Sequence, residues 1–519
     1  MTIADTAGAR RHGDRTIAVL TWLFFLSGAA GLIYESIWAR YLGLFAGHDA
    51  YGQITVLIIF LGGMSLGAAA VSRFTTRLES PLLGYALVEL LVGGIGFWFH
   101  DLYLSVTEHT YLVLYPAVAG SWTLSAVKWG IAGSLILPQS VLLGATFPLM
   151  TAGAIRLSRL PSGRILGQLY FANSLGAAVG VLAAGFYLVG RVGLPGTLRV
   201  AAVLNLLVGL ATLVVVALTR RRQLPAEPEV PAPPTAAEDA LPQGAPRLRW
   251  LLLTVTFWTA VASFIYEIDW IRMLSLVLGS ATHSFELMLS AFILGLALGS
   301  LWIRSRADRI TDPLRALGII QWLMGLFALA TLPIYAMSFS WTAHLLQMFA
   351  HTDAGYFGYT VSRYFICLAV MFPATFLAGM TLPLITRTLM ASGEGERAVG
   401  AVYAINTLGS IVGVALGGLV LLPWVGLKAM LVVGATVDMG LGIILLFRSH
   451  AASRRLGLAL AAATALVVLV GPQLIQLHKG VLVSGVFRRG RPTIADNTVV
   501  FYRDGRTATV SAVQAPGGR

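Results

Sequence analysis

The stretch LIYESIWAR, Leu32 to Arg40, closes a long apolar run with a glutamate and an arginine, and FIYEIDWIR, Phe264 to Arg272, repeats it. Overlaid at a shift of 232, Tyr34, Glu35, Trp38 and Arg40 fall on Tyr266, Glu267, Trp270 and Arg272. Gly47, Gly63 and Gly67 fall on Gly279, Gly295 and Gly299 at the same shift. At 235, Lys128 falls on Arg363, Pro138 on Pro373, Thr146 on Thr381 and Pro148 on Pro383. At 233, GQLYFANSLGAAVG overlies GAVYAINTLGSIVG, which matches Tyr170 with Tyr403 and Asn173 with Asn406. Matches this dense predict an internally duplicated chain.

Composition identifies the solvent of both copies. Of 519 residues, 57% are apolar and 11% charged, with a mean hydropathy of +0.79, far above the globular norm. The chain reads as an all-α polytopic membrane protein whose main partner is the lipid bilayer. Runs long enough to span lie at 16–38, 52–72, 81–100, 122–150, 165–190 and 197–219,. A second set lies at 250–278, 283–303, 314–336, 358–390, 399–422 and 427–447. An even number of spans per copy makes the two repeats, 16–219 and 249–447, parallel, as in a major-facilitator-like six-plus-six bundle. A further run at 456–477 predicts a thirteenth span. Residues 220–248, rich in proline, alanine and glutamate, can bury no core and predict a disordered cytoplasmic linker.

A formal charge of +13 could suggest nucleic acid, but the arginines are spread over short loops and form no single patch. No nucleic-acid partner is expected. Arg10 and Arg15, Arg73 and Arg77, Arg156 to Arg164, Arg220 to Arg222, Arg304 to Arg315, Arg387 and Arg397, and Arg448 to Arg455 mark every second loop. The positive-inside rule then predicts a cytoplasmic tail at 1–15 and an extracytoplasmic segment at 478–519. The run from Thr16 has no small-residue cleavage site before YESIWAR, so it reads as a retained span. Cys367 is alone, which excludes a disulfide framework and a cysteine metal cluster,. His48, His100, His109, His283, His344 and His351 fall in predicted outer segments without ligand spacing, and no metal is expected.

At 1.5 Å per residue from Thr16, Glu35 lies about 28 Å along its helix, and Lys128 lies about 9 Å in from Trp122. Both are predicted in the outer half of the membrane. Glu35 and Arg40 are about 140° apart round a helix, so each needs a partner elsewhere. The repeat predicts that Glu35 pairs with Lys128 and Glu267 with Arg363, while Asp269 pairs locally with Arg272. Such charges either line an outward-facing cavity for a small cationic or zwitterionic substrate or lock helices together. Asn173 and Asn406, with Tyr170 and Tyr403, are expected to hydrogen-bond across the bundle interior, the alternative being that they line a path through it. Trp38 and Trp270 read as interfacial anchors. Gly63 and Gly67, and Gly176 and Gly180, read as helix-packing pairs.

The motifs GLIYESIWAR, LGATFPLM with LAGMTLPLI, and NSLGAAVG with NTLGSIVG together resemble the fused major-facilitator/spermidine-synthase-like membrane proteins of bacteria. The resemblance implies a bacterial inner membrane, and that a domain similar to polyamine aminopropyltransferases follows the membrane region. That domain has a doubly wound α/β fold and uses decarboxylated S-adenosylmethionine as co-substrate. The tail NTVVFYRDGRTATVSAVQAPGGR resembles its opening β-hairpin, with β-rich runs either side of Asp504-Gly505,. A lone hairpin is marginal in water, so a larger sheet is expected beyond Arg519. No catalytic residue and no cofactor is assigned within these residues.

Three functional readings follow. The chain is the membrane region of an aminopropyltransferase-like enzyme handling a small charged substrate at the outer face, or a transporter or exporter of polyamines or another small polar solute, or a scaffold without turnover. Thirteen spans would place an appended domain opposite the cytosol, where decarboxylated S-adenosylmethionine is made, which separates the first reading from ordinary spermidine synthesis.

Overall fold

The computed structural model describes residues 3–46, 49–118, 120–158, 160–222, 245–280, 282–350, 352–449, 451–475, 477–492, 498–505 and 508–514. Gly47, His48, His351 and most of the expected linker, 223–244, lie outside the described residues.

Twelve long helices follow the apolar runs. They are α1 (Ile3–Ala46), α2 (Asp49–Phe74), α3 (Pro81–His109), α4 (Ser121–Leu157), α5 (Ser162–Ala183) and α6 (Val189–Arg222), then α7 (Ala245–Leu278), α8 (Thr282–Arg304), α9 (Pro313–Met348), α10 (Asp353–Leu389), α11 (Arg397–Ala415) and α12 (Leu422–Arg448). Helix α13 (Ala451–Leu474) and two single turns, α14 (Lys479–Leu482) and α15 (Val486–Arg489), lead to strands β1 (Thr498–Asp504) and β2 (Thr509–Gln514). Among the described residues, eleven helical segments are long and apolar enough to cross a membrane. Two of these, of 58 and 52 residues, are broken at Gly193 (φ 67°) and Gly426 (φ 74°), a left-handed conformation that suits glycine.

Local sequence sets several helix starts. Ser80 accepts a hydrogen bond from the Leu83 amide at the start of α3, and Asp312 accepts one from the Arg315 amide at the start of α9. Each cap is followed by a proline whose missing amide costs nothing there. Helices α4 and α10 both continue through two internal prolines, Pro138 and Pro148, and Pro373 and Pro383.

Packing follows one scheme throughout. Helix α1 lies on α5 and α6, α2 on α4, and α3 on α4 and α6, while α7 lies on α11 and α12, α8 on α10, and α9 on α10 and α12. The two sets of six meet along α5 with α8 and α2 with α11. Helix α13 lies outside, against α12 and α9, where the Trp322 indole donates to Thr464 Oγ1 at 2.9 Å. The antiparallel hairpin aligns Asp504 with Thr509, so Asp504 ends β1 and does not enter the turn. The hairpin sits at the end of the bundle formed by the C-terminus of α7 and the start of α12, opposite the Arg156 and Arg387 end.

Tryptophans 38 and 270 are fully buried, a correction to their reading as interfacial anchors. Trp38 stacks on Tyr34, with centroids 5.4 Å apart, and is covered by Phe60 and Phe99. Trp270 stacks on Tyr266 at 5.3 Å and donates to Thr331 Oγ1 at 3.1 Å. The rings that cover Trp38, Phe60 of α2 and Phe99 of α3, lie within the predicted spans, so helix packing takes the place expected for headgroups.

Candidate functional site

Helix α1 reaches the centre of the molecule because small residues let its neighbours approach. A side chain at Gly176 or Gly180 of α5 would strike the backbone of Phe25 or Ala29, and one at Gly28 would strike the backbone of Asn173. This close crossing brings the polar faces of α1 and α5 to the middle of the bundle. The corresponding crossing of α7 and α11 is made by Gly409 over Phe257 and Gly413 over Val261.

Between the two sets of helices lies a cavity of about 220 Å³. Glu35 and Glu267 both line it, with Tyr170, Asn173, Tyr403 and Asn406. Hydroxyl-bearing residues Ser27, Thr146, Thr259 and Thr381 add to the polar lining, while Leu57, Phe60, Leu289 and Phe292 supply apolar wall. Phe147 stacks face to face on Tyr403, with centroids 5.1 Å apart, and meets Tyr170 edge-on at 6.0 Å. Among the described residues, neither Glu35 nor Glu267 has an ion-pair partner. Two carboxyl groups with no cation therefore face one small space, and burying such groups in their charged form is costly.

The expected pairings are not the ones that form. Lys128 Nζ lies 5.8 Å from the Tyr115 ring centroid, and the buried Arg363 donates to the Leu278 carbonyl at 2.9 Å and to Ser284 Oγ. Both cations lie near the starts of their helices, α4 and α10, while the glutamates point to the seam between the two sets. Arg40 pairs with Glu286 of α8, and His283 Nδ1 lies 3.3 Å from the same carboxylate. Arg272 donates to the Gly505 carbonyl of the hairpin at 3.1 Å and so ties the tail to α7. Asp269 is buried with no hydrogen-bond partner on either oxygen, which excludes the local pair with Arg272. Asn173 and Asn406 line the cavity, and among the described residues neither amide bonds across the bundle. In the hairpin, Tyr502 donates to Asp504 Oδ1 at 2.8 Å. Burial, then the neighbouring Asp504 carboxylate, raises that phenol above its ordinary range.

Polar ties join the two sets of helices on either side of the cavity. At the hairpin end stands the Arg40–Glu286 pair. At the other end, Arg156 pairs with Glu396 at 2.7 Å and also donates to the carbonyls of Thr75 and Leu78. Asp308 accepts from the Gly163 and Arg164 amides at 3.3 and 3.1 Å at the start of α5, where the helix dipole favours an anion.

Sequence reading missed three buried acids. Glu286 holds Arg40, Asp438 accepts from Tyr266 Oη at 2.8 Å, and Glu89 is hydrogen-bonded to Ser27 and Asn205. Each is a lone acid in an apolar run, a signal that by itself marks a functional position in a membrane.

Over 222 residues, 42% of the chain, the protein is 28% identical to polyamine aminopropyltransferase 1 of Streptomyces coelicolor, and the match spans 37% of that protein. No family model matches the chain.

Proposed function

We propose that the bundle is the membrane unit of an aminopropyltransferase-like protein and that its central cavity binds a small organic polycation of the polyamine class. The observation that carries this reading is the convergence of Glu35 and Glu267, without cations, on one cavity. Ammonium groups would supply the missing positive charge, and the apolar wall suits the methylene chain between them. The volume, below the roughly 300–1,000 Å³ of drug-sized sites, suits a small solute. Similarity to a protein named for polyamines points to the same class. The cavity's place between two sets of helices, and not at the outer face, favours passage of the solute through the bundle over presentation at its surface. Decarboxylated S-adenosylmethionine belongs to the reading only as co-substrate of an appended domain, of which the hairpin would be the first element.

The reading extends to architecture and topology. Segments 162–219 and 397–448 are long enough for two crossings each, which gives thirteen spans with α13. The matched packing of α1 to α6 and α7 to α12 supports two parallel, major-facilitator-like repeats. With the arginine-rich end cytoplasmic, the hairpin lies outside a bacterial inner membrane. A compartment reporter fused after Gln514 is expected to report the extracytoplasmic side, and a cytoplasmic signal would overturn the thirteen-span count.

Spermidine binding to the full chain in lipid nanodiscs tests the site. A hydrogen bond to a charged group contributes about 1.5–3 kcal/mol, so Glu35→Gln and Glu267→Gln are each expected to weaken binding roughly 10- to 100-fold. Unchanged affinity with lowered thermal stability would assign both carboxylates to helix locking.

A further inference from the structure

Glu89 sits in the first third of α3, fully buried, and is not part of the cavity lining. Ser27 Oγ donates to its Oε1 at 2.6 Å, and the Asn205 amide lies 2.5 Å from its Oε2. Ser27 also lines the central cavity. One hydroxyl therefore touches both the buried acid and the space where the solute is proposed to bind.

Among the described residues, the surroundings of Glu89 hold no counter-charge. The titratable groups that interact with it are two phenols, Tyr34 from α1 and Tyr85 from its own helix. Helix α6 presents Asn205, while its Arg199 is turned to the Phe97 ring, 5.8 Å from the centroid. Helix α4 presents Gln139, whose amide donates to the Val92 carbonyl at 3.0 Å. Among the described residues, Glu89 has no ion-pair partner. An ionised carboxylate buried with neutral donors alone is expensive, and taking up a proton removes the cost. A protonated carboxyl needs an acceptor, and Asn205 Oδ1 is buried without a partner. Turning that amide over presents its oxygen to the carboxyl O–H, and 2.5 Å suits O–H···O better than N–H···O,.

The second set of helices has the same contact in neutral form. Gln321 of α9 donates to Thr259 of α7, with the 62-residue spacing of Ser27 and Glu89, and Thr259 likewise lines the cavity. One wall thus carries a titratable group and the other an amide.

We infer that Glu89 is a proton-binding site that exchanges its proton with the central cavity through Ser27, so that one proton and one cationic solute compete for the same half of the bundle. The inference rests on the cavity reading proposed above. When a cation enters, the carboxyl proton is carried on Oε1, where Ser27 Oγ turns to accept it and gives its own hydroxyl proton to cavity water, which leaves with it. The carboxylate that remains partly balances the charge that arrived. Return of the proton restores the neutral carboxyl and weakens the hold on the cation. The coupling is an exchange of proton for solute, with no covalent step.

Infrared spectra of the full chain in lipid nanodiscs test the site without any solute. A carbonyl stretch of a protonated carboxylic acid is expected that is lost in Glu89→Gln, a variant that Gln321 suggests the fold tolerates. That band is expected to shift promptly on transfer to heavy water and more slowly in Ser27→Ala. Absence of the band, its survival in Glu89→Gln, or equally fast exchange in Ser27→Ala would overturn the proton site. In weakly buffered solution, spermidine is expected to release up to about one proton per molecule bound, and far less from Glu89→Gln. Binding without release would overturn the coupling alone. If spermidine fails to bind the unaltered protein, the cavity reading fails, while the heavy-water result still decides whether Glu89 holds a proton.

Discussion

Arg40→Ala is expected to destabilise the bundle by about 3–5 kcal/mol, the cost of leaving one member of a buried ion pair alone. Glu286 is fully buried, and Arg40 is its main counter-charge. His283 stands 3.3 Å away on the same helix but is stacked on Phe186, with centroids 4.6 Å apart, and cannot take the place of a guanidinium reaching from α1. The site cannot relax into water either, because a side chain at Gly185 would collide with the Glu286 carboxylate, which shows how closely the chain after α5 covers it. Glu286→Gln should cost less, since the surviving Arg40 is about one-fifth exposed and can reach solvent. The double variant should then be less destabilised than the two single effects added, because removing both partners leaves no buried charge. Reversible unfolding in mixed micelles measures all three. Strict additivity would mean that the two side chains are neighbours without energetic coupling. Arg40→Lys should recover only part of the loss, since an ammonium cannot reproduce the planar fork of the guanidinium.

The same pair shows where sequence reading stops. Recurrence along the chain is legible, and the overlay at a shift of 232 is why Glu35 and Glu267 could be matched; both face one cavity. Azimuth relative to neighbours is not, because it depends on which helices pack together. Glu35 and Arg40 differ by about 140°, which sent one to the cavity and the other to α8, and left Lys128 and Arg363 to partners near their own helix ends. Trp38 was misjudged for a related reason, since its azimuth turns the ring toward Phe60 of α2 and Phe99 of α3. The missed acids have a different cause. Looking for charges that recur at a shift of 232 discards those that do not, and Glu89 falls on Gln321 and Glu286 on Ile54. Asymmetry between the halves is where these groups lie, so a filter for symmetry removes them. The hairpin was legible because β-rich runs around a turn are a local signal, although the turn itself begins one residue after Asp504.

Gly67→Val is expected to destabilise the protein by about 3 kcal/mol, the upper end of overpacking costs, while Gly94→Ala should be neutral or stabilising by up to about 1 kcal/mol. Both glycines lie inside long apolar helices, and spacing distinguishes them only in part. Gly67 stands with Gly63 in the four-residue spacing that lets helices cross closely. A Cβ there would meet the Val141 carbonyl of α4, which is backbone and can yield only if α2 and α4 move apart. The matching contact of Gly299 with the Phe376 carbonyl joins α8 to α10. Gly94 of α3 has nothing within 4 Å of where its Cβ would be, so an added methyl meets open space and only the helix propensity changes. Separating α2 from α4 would also displace Leu57, Phe60, Leu143 and Thr146, which face the cavity from those two helices. Gly67→Val should therefore weaken spermidine binding along with stability, whereas Gly94→Ala leaves binding unchanged. Equal unfolding free energies for the two variants would mean that the crossing of α2 and α4 is loose enough to absorb a side chain. The shape of the cavity would then have to be maintained by the polar ties at its two ends and not by the close approach of the helices that form its walls.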